Sequence, residues 1–210
     1  MKVYLIRHGQ SEFNALGVHQ GRDSPLSRHG VAQARALARR LAGLSVGTVL
    51  TSDHERASST ARIVAGSLRA RVVEMPELGE WKNPSEIIGT RHGDPLAAHI
   101  SKARMRHYHD KAWHYSDEEN AADVIRRARR VVAMLEGRRG KAVVVVTHSS
   151  FIRAIVGVML LGRGFGSRQL LWLHQRLRIE NTGITEVELT AGGDGVAWRL
   201  ITWNDVAHLG

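Results

Sequence analysis

The run Ala142-Val143-Val144-Val145-Val146, continuing into Thr147-His148-Ser149, is the stretch on which the fold turns. Four β-branched residues after an alanine favour an extended chain, and the lack of alternation implies burial on both faces. Such a strand belongs at the centre of a parallel sheet. Directly after it, Ile152, Ile155, Val156 and Met159 recur at helical spacing. Before it, Val124, Ala128, Val131 and Leu135 form a helical stripe, and Ser116-Asp117-Glu118-Glu119 reads as its capping box.

The same alternation extends outward. Val3–Ile6 reads as a strand, and the stretch to Pro25, with its Gly, Asn and Pro, as a loop. Ser27 caps a helix with the stripe Val31, Ala34, Leu37, Ala38, Leu41. Thr48–Leu50 is a second strand, followed by Thr51-Ser52-Asp53 and a helix through about Ala65; Val72–Val73 is a third. Met75 to Gly93 reads as an irregular loop with one short helix. Asp94-Pro95 opens a polar, His- and Arg-rich helix running to His114. Near the end, Thr185–Leu189 and Val196–Trp203 flank a Gly192-Gly193-Asp194-Gly195 turn, the pattern of a hairpin. Strands alternating with helices, without repeats or a linker, predict an α/β layered fold with a largely parallel sheet.

At 210 residues, 43% hydrophobic and 24% charged, the chain suits one globular domain spanning 1–210. It contains no cysteine, which removes disulfides and thiolate metal sites. Four apolar residues before Arg7 are too few for a signal peptide, and no apolar run approaches the roughly 18 residues of a membrane span. The expectation is a soluble, cytoplasmic protein with no membrane partner. The formal charge of +10 fits nucleic-acid binding, a membrane surface or a site for anionic substrates. Because the arginines are spread along the chain, this excess discriminates poorly, and solvated helix faces account for much of it.

Two strands end alike: Val3–Ile6 runs into Arg7-His8-Gly9, and Ala142–Val146 into Thr147-His148-Ser149. In an open α/β sheet the carboxyl ends of central strands line the ligand crevice, and helix N-termini there favour phosphate. Arg56 follows a third strand end, near the start of its helix. Two histidines and two arginines are thus expected at one anion-sized spot. Taken singly, His148 would be read as a structural residue; the grouping argues otherwise.

Arg7-His8-Gly9-Gln10-Ser11-Glu12-Phe13-Asn14 resembles the signature of the histidine phosphatase superfamily, which includes the cofactor-dependent phosphoglycerate mutases. The likeness continues at Gln20-Gly21-Arg22-Asp23, Pro25-Leu26, Gly30-Val31-Ala32-Gln33-Ala34, Ser52-Asp53-His54-Glu55-Arg56-Ala57 and Val145-Val146-Thr147-His148, spanning roughly residues 1–160. It implies a three-layer α/β/α fold of the phosphoglycerate mutase-like kind and chemistry that needs neither metal nor cofactor. By this resemblance His8 is the nucleophile, and Arg7, Arg56 and His148 clamp the phosphoryl oxygens. Asn14 adds a hydrogen bond, and Gln20, with Gly21 beside it, lines the pocket. Ser149 stands where the family often has glycine and brings a hydroxyl there.

The family supplies an acid shortly after the third strand, and Leu78-Gly79-Glu80 matches, so Glu80 is the expected proton donor, with Glu77 its competitor. Lys82-Asn83-Pro84-Ser85 departs from the family pattern there. Trp81 is placed beside the substrate. The basic segment from Arg91 to His114 is either a solvated face or a lid that reads the non-phosphoryl part of the substrate, for instance a second anionic group. Metal binding by His107 and His109 is disfavoured, because i, i+2 positions on a helix point apart.

The reading is hydrolysis of a small phosphomonoester. Mutase activity is the alternative, disfavoured by the compact interval from Glu80 to His148. A basic nucleic-acid-binding or adaptor protein on the same fold is less favoured, since no DNA- or RNA-reading module interrupts the chain and a nucleic-acid partner is not expected. The sequence leaves the substrate and a homo-oligomeric state open.

Overall fold

The computed structural model describes residues 1–192 and 195–210. Its elements, in chain order, are β1 (Lys2–Arg7), α1 (Glu12–Leu16), α2 (Arg28–Leu41), β2 (Thr48–Thr51), α3 (Glu55–Leu68), β3 (Arg71–Glu74), α4 (Pro95–Arg106), α5 (Ala121–Glu136), β4 (Ala142–Thr147), α6 (Ser149–Leu161), α7 (Ser167–Arg176), β5 (Ile184–Gly192) and β6 (Gly195–Asp205). The six strands form one sheet in the order β3-β2-β4-β1-β5-β6. The first four are mutually parallel; β5 runs antiparallel to β1, and β6 antiparallel to β5.

The valine run occupies the interior as its composition requires. Val143 and Val145 pack with Val3, Leu5 and the apolar faces of α5 and α6. Val144 and Val146 point the other way, joining Tyr4, Ile6, Val49 and the inner faces of α2 and α3. Successive strand side chains alternate in direction, so a strand apolar at every position must be covered on both sides. The result is a three-layer α/β/α arrangement, the fold expected.

Local readings fared unevenly. Ser27 caps α2 through a bond from the Gly30 amide, and Asp94 caps α4. The first loop contains α1, boxed by Ser11 and Asn14. The polar helix expected to reach His114 stops at Arg106: the chain turns at His107, whose ring stacks on Trp113 with centroids 4.5 Å apart. The capping box expected at 116–119 is not formed. Asn120 caps α5 with Asp123 completing the box, while Glu118 accepts the Tyr115 and Ser116 amides. Helix α7 has no counterpart in the sequence reading: its apolar residues Leu170, Leu171, Trp172 and Leu173 are consecutive instead of recurring at helical spacing. The β5–β6 pairing confirms the hairpin; Gly193 and Asp194 of its proposed turn lie outside the described residues. Among the described residues no helix is long and apolar enough to cross a membrane.

Candidate active site

Strand register sets the site. In the parallel β1–β4 pair Arg7 lies opposite Thr147, so the next residues, His8 and His148, emerge side by side at the carboxyl edge of the sheet. Their ring centroids are 5.0 Å apart. The His8 amide still bonds the Thr147 carbonyl at 3.0 Å, which continues the ladder into the site. Strand β2 pairs with the other side of β4, and from its end Ser52 Oγ reaches His148 Nε2 at 2.8 Å. Helix α3 then begins, and its second residue, Arg56, is almost wholly buried.

His8 is held in one tautomer. Its Nδ1 lies 2.7 Å from the Gly9 carbonyl oxygen, which can only accept, so Nδ1 carries the proton. Nε2 therefore presents its lone pair, and Arg56 Nε donates to it at 3.2 Å. Burial foremost, then Arg56 and Arg7, keeps His8 well below the ordinary imidazole pKa, so the ring is neutral at neutral pH. Arg56 also donates from Nη1 to the Gly21 carbonyl (2.7 Å) and from Nη2 to His54 Nδ1 (3.2 Å). Burial lowers Arg56 to about 10, leaving it cationic. Arg7 is fixed by a 2.7 Å bond from Nη1 to the Ile179 carbonyl, while its buried Nε has no partner.

A tight backbone approach seats the loop after β1. A Cβ on Gly9 would fall 2.6 Å from the Gly30 carbonyl oxygen, and one on Gly30 1.9 Å from that of Gln10. Only glycine allows the loop to lie against the start of α2 in this way. Thr60 fastens it from the other side: its Oγ1 accepts the Gly9 amide at 3.0 Å and donates to the Arg56 carbonyl at 2.7 Å.

Glu80 approaches from the segment after β3. Its carboxylate accepts the amides of Trp81 (2.9 Å), Ser150 (3.2 Å) and Phe151 (3.2 Å), and lies 3.4 Å from Ser149 Oγ. It thus sits on the N-terminus of α6, immediately after His148. The loop behind it is tied down by Arg127, which donates to the Glu77, Gly79 and Glu80 carbonyls and pairs through two nitrogens with Glu119. That need for a counter-charge explains why Glu119 turns inward rather than into a helix cap.

A cavity of about 400 Å³ opens over these groups, lined at one end by Arg7, His8, Asn14, Gln20, Arg56 and Glu80, with Ser149 beside them. Seven of the nine expected residues therefore share one space. His148 does not line it; it is fully buried behind His8, with Nδ1 unpaired. Burial and Arg56 hold it well below the usual histidine pKa, so the fixed cations are the two arginines and His148 is neutral. Gly21 borders an adjoining cavity instead, and its carbonyl anchors Arg56. Glu77 is exposed and lines neither, whereas Trp81 lines both. Ser150 lines the main cavity as well, and neither it nor Ser149 caps α6 through its side chain.

Sequence reasoning missed several participants. Asn181, beyond the matched stretch, donates to the His8 carbonyl at 2.9 Å and reaches Asn14 Oδ1 at 3.5 Å. Ser52 and His54 were visible within the quoted motif but carried no assigned role, and nothing in local sequence marked Arg127. Helix α4 contributes Ser101, Arg104 and Met105 to the cavity wall, so the basic segment is partly a lining and not only a solvated face. Among the described residues no group of three or more His, Asp or Glu side chains is arranged to hold a metal ion.

Fold and site together define an α/β protein with a pocket lined by histidine and arginine at the carboxyl edge of its sheet. The model of the histidine phosphatase superfamily (branch 1) matches residues 3–206, and the chain belongs to that superfamily. A probable phosphoglycerate mutase of Photorhabdus laumondii is 30% identical, the match covering 100% of this chain and 95% of that protein. A putative phosphoserine phosphatase of Hydrogenobacter thermophilus is 29% identical over 99% of this chain and 97% of its own. Among solved structures, a mycobacterial glucosyl-3-phosphoglycerate phosphatase in complex with VO3 superposes with a TM-score of 0.79 at 26% identity, covering 97% of this chain and 98% of that one. The chain is an enzyme of this superfamily, with both phosphatases and phosphoglycerate mutase-like proteins among its relatives.

Proposed function

We propose that the protein is a metal-independent phosphatase that hydrolyses a small phosphomonoester through a phosphohistidine on His8. The observation that carries this reading is the state of that ring: neutral, with Nδ1–H spent on the Gly9 carbonyl and the Nε2 lone pair directed to Arg56. A bound phosphoryl group takes over the Arg56 donor, releasing the lone pair for in-line attack. The Nε2–phosphorus bond forms as the bond to the ester oxygen breaks, and the leaving oxygen takes a proton from Glu80. Water, deprotonated by the same carboxylate, then attacks phosphorus; the Nε2–phosphorus bond breaks and inorganic phosphate leaves.

Arg7 and Arg56 offset the charge spread over the equatorial oxygens, the main requirement of phosphoryl transfer. Arg7, which lines the cavity and whose buried Nε has no partner, suits this site, because an unpaired buried polar atom is costly unless a ligand engages it. Asn14, Gln20 and Ser149 add neutral hydrogen-bonding groups on the same wall.

The test is phosphate release from a panel of phosphorylated metabolites in the presence of chelator, by wild type and His8→Ala. Turnover that survives chelation and vanishes in the variant supports the reading; equal activity in the variant refutes it. Mutase activity is read in parallel from 3-phosphoglycerate, with and without 2,3-bisphosphoglycerate, as isomerisation rather than phosphate release.

A further inference from the structure

The cavity extends well past the phosphoryl end, and its far end has a different character. Trp81 stands between the two, with Tyr108 and His174 against it at ring-centroid distances of 6.0 and 5.5 Å. Arg104 is the one lysine or arginine lining this end among the described residues, and it is already engaged. Nη1 donates to Asn83 Oδ1 at 3.1 Å, and Nε faces the buried carboxylate of Glu118 at 4.0 Å. The other carboxylate there, Glu119, is neutralised by Arg127. Among its arginine and carboxylate groups the far end is therefore balanced, whereas the near end sets two arginines against Glu80.

Three histidines also line the far end: His19 and His92 pack edge to face, and His107 stacks on Trp113. Tyr108 Oη and His174 Nε2 are both buried with no hydrogen-bond partner. Burial raises the tyrosine, keeping its proton in place, and lowers His174 to about 4, keeping the ring uncharged. A phenol both donates and accepts, and a neutral imidazole does either according to tautomer, which is the pattern a hydroxyl satisfies. Asn83, Ser101 and Asn120, of the same kind, lie in the same wall. A second phosphate or carboxylate would instead bury a full charge with no unengaged lysine or arginine among the described residues there to meet it.

We propose, resting on the phosphatase reading, that this end receives a neutral, hydroxyl-bearing leaving group, a sugar or polyol, with its carbon face against Trp81 and its hydroxyls on Tyr108, His174 and their neighbours. The substrate class is then a sugar or polyol monophosphate, and the basic segment selects by neutral hydrogen bonds rather than by a second positive charge.

The experiment compares kcat/KM of wild type and Tyr108→Phe on glucose 6-phosphate, ribose 5-phosphate and sorbitol 6-phosphate, on 3-phosphoglycerate and O-phosphoserine, and on p-nitrophenyl phosphate. The expected result is a wild-type preference for the first group over the second. Loss of the hydroxyl should also lower the sugar phosphates about fivefold further than the nitrophenyl ester, the worth of one neutral hydrogen bond. A preference for the carboxylated esters, or an equal effect of Tyr108→Phe on every substrate, overturns the proposal. Failure of wild type to release phosphate even from p-nitrophenyl phosphate overturns the phosphatase reading itself, and this inference with it.

Discussion

Replacing Arg127 by methionine keeps the length of the side chain and removes five hydrogen bonds. Two run to Glu119, at 2.8 and 2.6 Å, and three to the carbonyls of Glu77, Gly79 and Glu80. The guanidinium also lies 4.0 Å from the Phe151 ring centroid, packing the loop onto α6. Arg127 is 10% exposed and Glu119 21%, so the variant strands a largely desolvated carboxylate. Breaking such a pair costs about 3–5 kcal/mol. The remaining bond from the Lys82 amide to Glu119 favours the lower value. For a protein of this size that is a drop in Tm of roughly 10 °C.

The catalytic consequence is selective. The three carbonyls fix the backbone that presents Glu80, so a loosened loop weakens proton donation. Alkyl phosphates, whose leaving groups need that proton, should lose more kcat than p-nitrophenyl phosphate, which departs as a stable anion. Thermal unfolding and the alkyl-to-aryl ratio of kcat, measured on wild type, Arg127→Met, Glu119→Gln and the double variant, decide the matter. The double variant should be less impaired than the sum of the singles. A cost below about 1 kcal/mol, or an equal fall on both ester types, would refute the reasoning.

Glu80→Gln should slow alkyl phosphate turnover by about 10²–10⁴-fold, with a smaller effect on aryl esters; steady-state rates on both check this. Gly30→Ala drives a methyl group into the Gln10 carbonyl, two residues from His8, and should cost about 3 kcal/mol together with most activity, read by urea denaturation and turnover. Stability should also fall on mild acidification. His8, His19, His54, His148, His174 and His208 are all held below the ordinary histidine value, so their neutral forms are native and the unfolded chain binds more protons as the pH drops below about 7. His114, raised by its bond to Asp123, opposes this. The expected slope is about 1.4 kcal/mol per pH unit for each excess proton, and urea midpoints that stay flat between pH 7.5 and 5.5 would contradict it.

What could be read in the sequence followed from how local each cause is. The valine run and the His-bearing strand ends report burial and position directly, and the register of β1 on β4 brought those two histidines together as their shared endings suggested. Glu80 lines the cavity and Glu77 does not, a difference of placement that spacing alone left open. The basic segment was harder. A helix stripe through Arg104 and Arg106 looks the same whether the chain continues or turns, and it turns because His107 stacks on Trp113 six residues later. Glu118 and Glu119 looked like cap residues because their distant partners, Arg104 and Arg127, were unknown. The neutrality of His148 was hidden for the same reason: it depends on burial and on Arg56, 92 residues away in sequence.

The phosphorylated state of the enzyme itself provides the most direct measurement. Incubation with a ³²P-labelled substrate, quenching in alkali and peptide mapping should locate acid-labile label on His8 in the wild type and none in His8→Ala. Label on another residue, or steady turnover by the His8→Ala protein, would contradict the account.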